Sequence, residues 1–529
     1  MGTTDNQPGT EHVRKRRRWR AWVAGISISL LVCAGVAVFA FQMLIARAGP
    51  ILRGRVIETL STRFDSNVEL DDFEVSIQDG LNVSGSGLRI YPSAAIMAAG
   101  VTAPLIAVKE FNFHAALSGL FLKPTNINTV HVRGLAVSVP PREMRQANPS
   151  HGRRMGKVKI RVNRIICEDS VLTIGTAKPD KDPKVFDLKY IVMRNVGANE
   201  PWAFDATLTN PVPAGEIHAV GEFGPWNTDG PGDSDLDGKY TFDHADMNTI
   251  KGIAGTLRST GTFEGQLDRI AVKGHTEIPD FSLDTANHPM PLATDFDAVV
   301  DGTSGDTLLN KVDAVLGTSK FSCKGAVINK KGVGHDITVD VDVPEGQLAD
   351  FLRLAVKSDP PPMTAIVSLK SILEIRPGKE RVIKKMRMKG SFALHQIHFT
   401  DPAIEDKVDV MSLRAQGKTE GLGPGAPDVQ SKMTGEFEMR NNKLTFRNLD
   451  YSLPGGAIHL AGAYALDDRE YDFTGEVRTD AKISQMVATK WKSILLKPVD
   501  PFFHKDGAGA KIPIHVSGAQ GKPKVGLKF

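Results

Sequence analysis

The sequence predicts a mainly β protein, an elongated, bent antiparallel sheet of groove-like form with few short helices, joined to one N-terminal transmembrane helix. Three observations lead there. Residues 21–46 carry no charged side chain. Beyond them, apolar and polar residues alternate with a period of two over most of the chain, the signature of strands with one sheltered face. Glycines recur inside those alternating runs, where they mark bends or bulges. A composition of 41% hydrophobic and 24% charged residues belongs to a folded chain.

The apolar span comes first. At 1.5 Å per residue, about 25 residues reach about 37 Å, enough for a hydrocarbon core near 30 Å. Trp22, Leu30, Leu31, Phe39, Phe41 and Ile45 would anchor it. Arg14, Lys15, Arg16, Arg17, Arg18 and Arg20 precede it, opposed only by Asp5 and Glu11. Basic flanks stay cytoplasmic, so the body after residue 47 is expected on the far side. Of the 65 basic and 61 acidic residues, the first twenty hold six and two, so the rest of the chain is balanced. That balance speaks against a nucleic-acid binder, which needs a basic face. Ala46-Arg47-Ala48 would suit a cleaved signal peptide, but the apolar run exceeds the usual h-region of about 7–15 residues. Leu30-Leu31-Val32-Cys33 is a poor lipoprotein site, because Val32 is bulky and the apolar run continues.

Residues 50–64 read as a short amphipathic helix, with Leu52, Val56, Leu60 and Phe64 on one stripe. Alternation then starts at Phe73, Val75 and Ile77 and returns at Ile337–Val343, Met433–Met439 and Tyr471–Val477. Residues 1–20 form a basic tail and 21–46 the span. The body divides into 47–140, a middle β region 141–380, and a C-terminal β region 381–529. Loops are expected at 140–156, 211–231 and 421–427, and short helices at 348–356 and 481–496, the latter capped by Asp480. In-strand glycines include Gly221, Gly265, Gly274, Gly325, Gly390, Gly462, Gly475 and Gly518. If strands keep register, Phe437, Phe446, Ile458, Leu460, Phe473 and Val477 share a sheltered side and line the groove.

Chemical motifs are sparse. Gly421-x-Gly423-x-Gly425 contains Pro424 and opens no helix, so it reads as a loop. His395 and His398 lie in a strand-like run, where positions three apart face opposite sides. Asp336, Asp340 and Asp342 read as a solvated strand face. Cys167 and Cys323 show no metal or redox spacing, and a disulfide between them is the less favoured reading. Lys490, Lys492, Lys497 and Lys505 could meet lipid phosphates or an anionic partner, but an ordinary solvated helix face is the favoured reading. No catalytic residue, metal site or cofactor is expected.

The organisation resembles the AsmA family of bacterial envelope proteins. The anchor, short helix and first hairpin carry the likeness, as do the stretches at 162–174, 251–283 and 291–307. It is strongest in "LPGGAIHLAGAYAL" (453–466), "WKSILLKPVDPFF" (491–503) and "GAGAKIPIHVSGAQGKPKVGLKF" (507–529). The resemblance implies a single-pass inner-membrane protein, with a cytoplasmic N-terminus and a periplasmic body that supports outer-membrane assembly. Larger relatives are thought to carry phospholipid along apolar β-grooves. The expected partners are therefore the membrane, phospholipid and envelope assembly proteins. The alternative is a periplasmic scaffold that assists outer-membrane proteins through protein contacts; an enzyme is the least supported class.

Overall fold

The structure is a computed structural model that describes residues 66–77, 81–98, 100–115, 125–141, 160–196, 200–225, 231–419, 429–467, 469–487, 509–519 and 522–527, with isolated positions in 35–61 and at 497. The expected membrane span and its basic flank fall outside those residues, except that Gly35 and Val36 are helical. Among the described residues no helix is long and apolar enough to cross a membrane. Helical positions at 53, 54, 56–58, 60 and 61 agree with the expected short helix.

The body is mainly β, with 66% of the described residues in strands. One sheet contains all 25 strands. Almost every strand pairs antiparallel with its successor, as alternating sequence and short turns require. The exception is Thr125–Val139, which runs parallel to Ile160–Ile174 and makes the sheet mixed. The intervening connection contains the expected loop at 140–156, which lies outside the described residues apart from Pro140 and Pro141.

Helices are few and short. The one expected near 348–356 is found at Leu348–Ala355 and sets Phe351 and Leu354 against the strand ends around Met290, Leu316 and Phe321. A helix that the sequence reading missed, Pro402–Ala415, starts where Asp401 Oδ1 accepts the Ala403 N–H at 2.9 Å, with Pro402 in the first turn. The helix expected at 481–496 is corrected over its first residues. Asp480 does not cap it; its N–H goes to Gly455 O at 2.9 Å, and Ile483–Met486 forms a single 3₁₀ turn instead. Residues 488–496 lie outside the description.

Strand ends form two margins. Most of the largest apolar clusters gather at one of them, beneath Leu348–Ala355 and Pro402–Ala415. One cluster is centred on Ala365, Val367, Leu394 and Ile397, another on Ala415, Val429 and Leu453. Each draws on neighbouring strands and the helix above them, so it seals a margin rather than filling the middle of the sheet.

The margins also meet one another. Residues 175–183, between the strands Ile160–Ile174 and Lys184–Val196, touch turns of the opposite margin many strands later. Lys178 Nζ lies 3.1 Å from Asp301 and Lys181 Nζ 2.5 Å from Asp306. Lys330 reaches Asp180 at 3.0 Å, and the Lys331 N–H donates to Asp180 O at 2.7 Å. Lys181 also donates to Asn329 O, and its side chain is only 3% exposed. A second meeting occurs where Gly252 abuts Val382, whose Cγ2 would lie 3.1 Å from a Cβ at Gly252. A sheet whose opposite margins touch has wound about one of its faces.

Candidate functional site: an apolar face along the sheet

Register decides which face is inside. Cross-strand partners point to the same side, so a row of partners can be followed from strand to strand. One row begins Phe73, Gly85, Phe111, Val132, Cys167, Ile191, Ala206, Ala219 and Tyr240. It continues through Gly261, Gly274, Phe296, Val312, Cys323, Val341, Ser371 and Gly390. It ends on Phe437, Phe446, Gly462, Phe473 and Val516. No member is charged and none is exposed. The next row, two residues along each strand, is equally apolar and includes Val83, Phe113, Phe263, Leu309, Val339, Leu373, Met388 and Met439.

The positions between belong to the other face and carry the charges. Lys273 sits opposite Asp297, Asp297 opposite Lys311, and Lys389 opposite Glu438. Their ion pairs, such as Lys311 with Asp313 at 2.7 Å and Lys189 with Glu216 at 2.7 Å, are half exposed and contribute little stability each. Asp336, Asp340 and Asp342 lie in the strand Gly334–Gln347, and Asp342 comes within 3.8 Å of Lys370 on this face. With the charges outside, the face enclosed where the margins meet is the apolar one.

Glycines permit the winding. In the apolar rows, Gly475 lies so close to the facing strand that a Cβ would run into His459 O, and Gly325 meets Thr338 O in the same way. No side chain fits there, so the floor of the face bends where these residues stand. Larger rings fill the space above. Phe392 lies 6.2 Å from Phe437 and 6.3 Å from Phe446, and Phe446 lies 6.0 Å from Phe473.

All six side chains expected to line a groove fall on this face. Phe437, Phe446 and Phe473 stand in the main row; Leu460 pairs with Gly475, and Ile458 with Val477, in the flanking rows. The extension of the same face to the first strands, through Phe73 and Phe111, was not singled out from sequence. Most members of both rows are half-buried, and every described strand belongs to the one sheet, so among the described residues no second sheet covers them. A cavity of about 960 Å³ opens at the N-terminal end, between Arg53 and Ile57 and the strands carrying Phe73, Val83 and Phe113.

The face carries few polar atoms. Cys167 is fully buried and unpaired, and burial pushes its thiol up to about 12, which keeps it protonated and inert. Cys323 is unpaired as well. Near the middle of the face, Tyr240, Ser259 and Thr276 form a hydroxyl network. Ser259 Oγ lies 3.1 Å from Tyr240 Oη, 3.0 Å from Thr276 Oγ1 and 3.1 Å from His275 O. Burial raises the Tyr240 phenol above its ordinary value, so it keeps its proton.

Other residues singled out from sequence are dispersed. His398 Nδ1 lies 3.3 Å from Glu405, and among the described residues no three His, Cys, Asp or Glu side chains form a metal-binding group. The 421–427 loop and Lys490, Lys492 and Lys505 lie outside the described residues. No protein family, no curated protein and no solved structure matches the chain.

Proposed function

We propose that the apolar face is an open trough that holds lipid acyl chains, and that the protein is an AsmA-like, inner-membrane-anchored periplasmic factor that binds or conducts phospholipid in support of outer-membrane assembly. It acts without enzymatic chemistry. One observation carries this reading: an uncharged row runs unbroken from Phe73 to Val516, half-buried along most of its length, with no second sheet over it among the described residues. A single-layer sheet leaves such a face with unmet apolar contacts.

The energetics suit carriage. Burying a methylene contributes about 0.8 kcal/mol, so about ten methylenes contribute on the order of 8 kcal/mol relative to water. A lipid drawn from a bilayer gives up a similar amount, so the exchange is near balance. Without directional polar contacts along most of the row, a chain can slide. The cavity beside Arg53 and Ile57 adjoins the segment that follows the expected anchor, where an acyl chain would enter from the membrane.

The test is to purify the full chain in mild detergent, extract it with organic solvent, and identify bound lipid by mass spectrometry. Phospholipid in stoichiometric or greater amount is expected. A protein that carries none, even after incubation with phospholipid vesicles, would favour the scaffold that works through protein contacts.

A further inference from the structure

We propose that Tyr240, Ser259 and Thr276 form a polar station in the trough, which selects lipids that carry a hydrogen-bond donor beside their acyl chains. The inference rests on the trough reading and assigns a chemical preference to one place within it. Ser259 has a single hydroxyl proton, and the His275 carbonyl 3.1 Å away can only accept. The Ser259 proton therefore goes to that carbonyl. Tyr240 and Thr276, 3.1 and 3.0 Å from the same Oγ, must then both donate to it. Their protons are spent, while both oxygens keep acceptor capacity.

The network thus offers acceptors and no donors. It matches a glycerol hydroxyl or an amide N–H; it has nothing to give an ester carbonyl or a phosphate. Among the described residues no cation beside the network shares the face, since the nearby Lys239 and Lys273 occupy the intervening, outward positions. The geometry keeps the station accessible. Gly261 and Gly274 stand between Tyr240 and Phe296 in the main row, and a Cβ at Gly274 would meet the Tyr240 hydroxyl and the Phe296 ring. The tyrosine ring therefore lies across the bare backbone and delivers its hydroxyl toward Ser259. Thr276 pairs with Thr294 on the next strand, whose hydroxyl is not part of the three-residue network. These strands lie within the stretch that the meeting of residues 175–183 with 301–306 closes, so a passing lipid is forced against them.

The probes are a diacylglycerol and the same lipid with its free hydroxyl methylated, offered together in phosphatidylcholine vesicles to the full-length protein. Bound lipid is quantified by mass spectrometry. A net neutral hydrogen bond predicts enrichment of the free-hydroxyl lipid by about five-fold. The triple variant Tyr240→Phe, Ser259→Ala, Thr276→Val removes the network while nearly conserving shape, and should bring the ratio close to one with total uptake unchanged. Tyr240→Phe alone, which keeps the ring, should lower the ratio part of the way and guards against misfolding of the triple variant. Equal uptake of both lipids by the parent, or a preference that survives in the variants, overturns the station and leaves the trough standing. Uptake of neither lipid, nor of phosphatidylcholine, overturns the trough and the station together.

Discussion

The sheet is closed in two ways, and the contrast shows what each closure can do. Along one margin, helices Leu348–Ala355 and Pro402–Ala415 press apolar side chains onto strand ends, and Ile397 is only 1% exposed beneath them. Where residues 175–183 meet the opposite margin, the closure is polar: Lys178, Lys181, Asp180, Asp301, Asp306 and Asn329 hold that segment against distant turns. Apolar packing is insensitive to pH and salt and opens only by exposing area. A clasp of charges opens when one partner is lost or neutralised. The apolar margin is therefore the permanent seal and the clasp the releasable one.

Breaking the clasp from its buried member should have the largest effect. Lys181→Ala leaves the Asp306 carboxylate and the Asn329 carbonyl without their buried partner, a loss of about 3–5 kcal/mol. Amide exchange at 301–306 and 329–333 should accelerate by two orders of magnitude or more, while exchange beneath Pro402–Ala415 stays unchanged. Equal acceleration at both places would erase the distinction between the closures. At the helix-covered margin, Ile397→Ala should lower global stability by about 2–5 kcal/mol in urea unfolding, because it opens a cavity in a filled cluster.

A charge in the trough should cost less. Phe446 is half-buried rather than sealed, so Phe446→Glu leaves its carboxylate in reach of water. We expect a loss below about 2 kcal/mol, with lipid occupancy greatly reduced. Unfolding of the C-terminal strands would instead mean that the face is a packed core.

The smallest effect is on pH. Burial disfavours the Asp301 and Asp306 carboxylates, but hydrogen bonds from Thr303, Ser304 and Lys178 to the first, and from Lys181 and the Asn329 amide to the second, outweigh it and hold both below the ordinary value of 3.8. Depressed acids stabilise the fold above their unfolded value and lose that contribution as pH falls through the folded one. His335 is also depressed below 6.5, by burial and then by Lys184 and Lys181. The unfolded state therefore gains protons first, starting below 6.5. The clasp should loosen modestly from about pH 6.5 downward and more strongly below 3.8, as read by amide exchange at 329–333.

The period of two made the strands legible, and with them the shared face of Phe437, Phe446, Ile458, Leu460, Phe473 and Val477. The in-strand glycines marked the bends because nothing larger fits against a neighbouring backbone. Sequence did not show the clasp, since Lys178 and Asp301 are 123 residues apart and each is an ordinary loop charge until the sheet winds. The parallel pairing of Thr125–Val139 with Ile160–Ile174 left no local signal either. Helix Pro402–Ala415 did carry one. Asp401-Pro402 is a start signal and Val408, Met411 and Ala415 recur at helical spacing, but the alternating strands on both sides dominated the pattern. The hydroxyl network was hidden because Tyr240, Ser259 and Thr276 meet only through cross-strand register.

The central claim is that one face of the sheet holds lipid and the other does not. A photo-activatable benzoylphenylalanine placed at Phe446, and separately at its neighbour Thr445 on the charged face, tests this in the full chain mixed with phospholipid vesicles. The account predicts phospholipid adducts by mass spectrometry at position 446 and none above background at 445. Adducts at both positions, or at 445 alone, would contradict it.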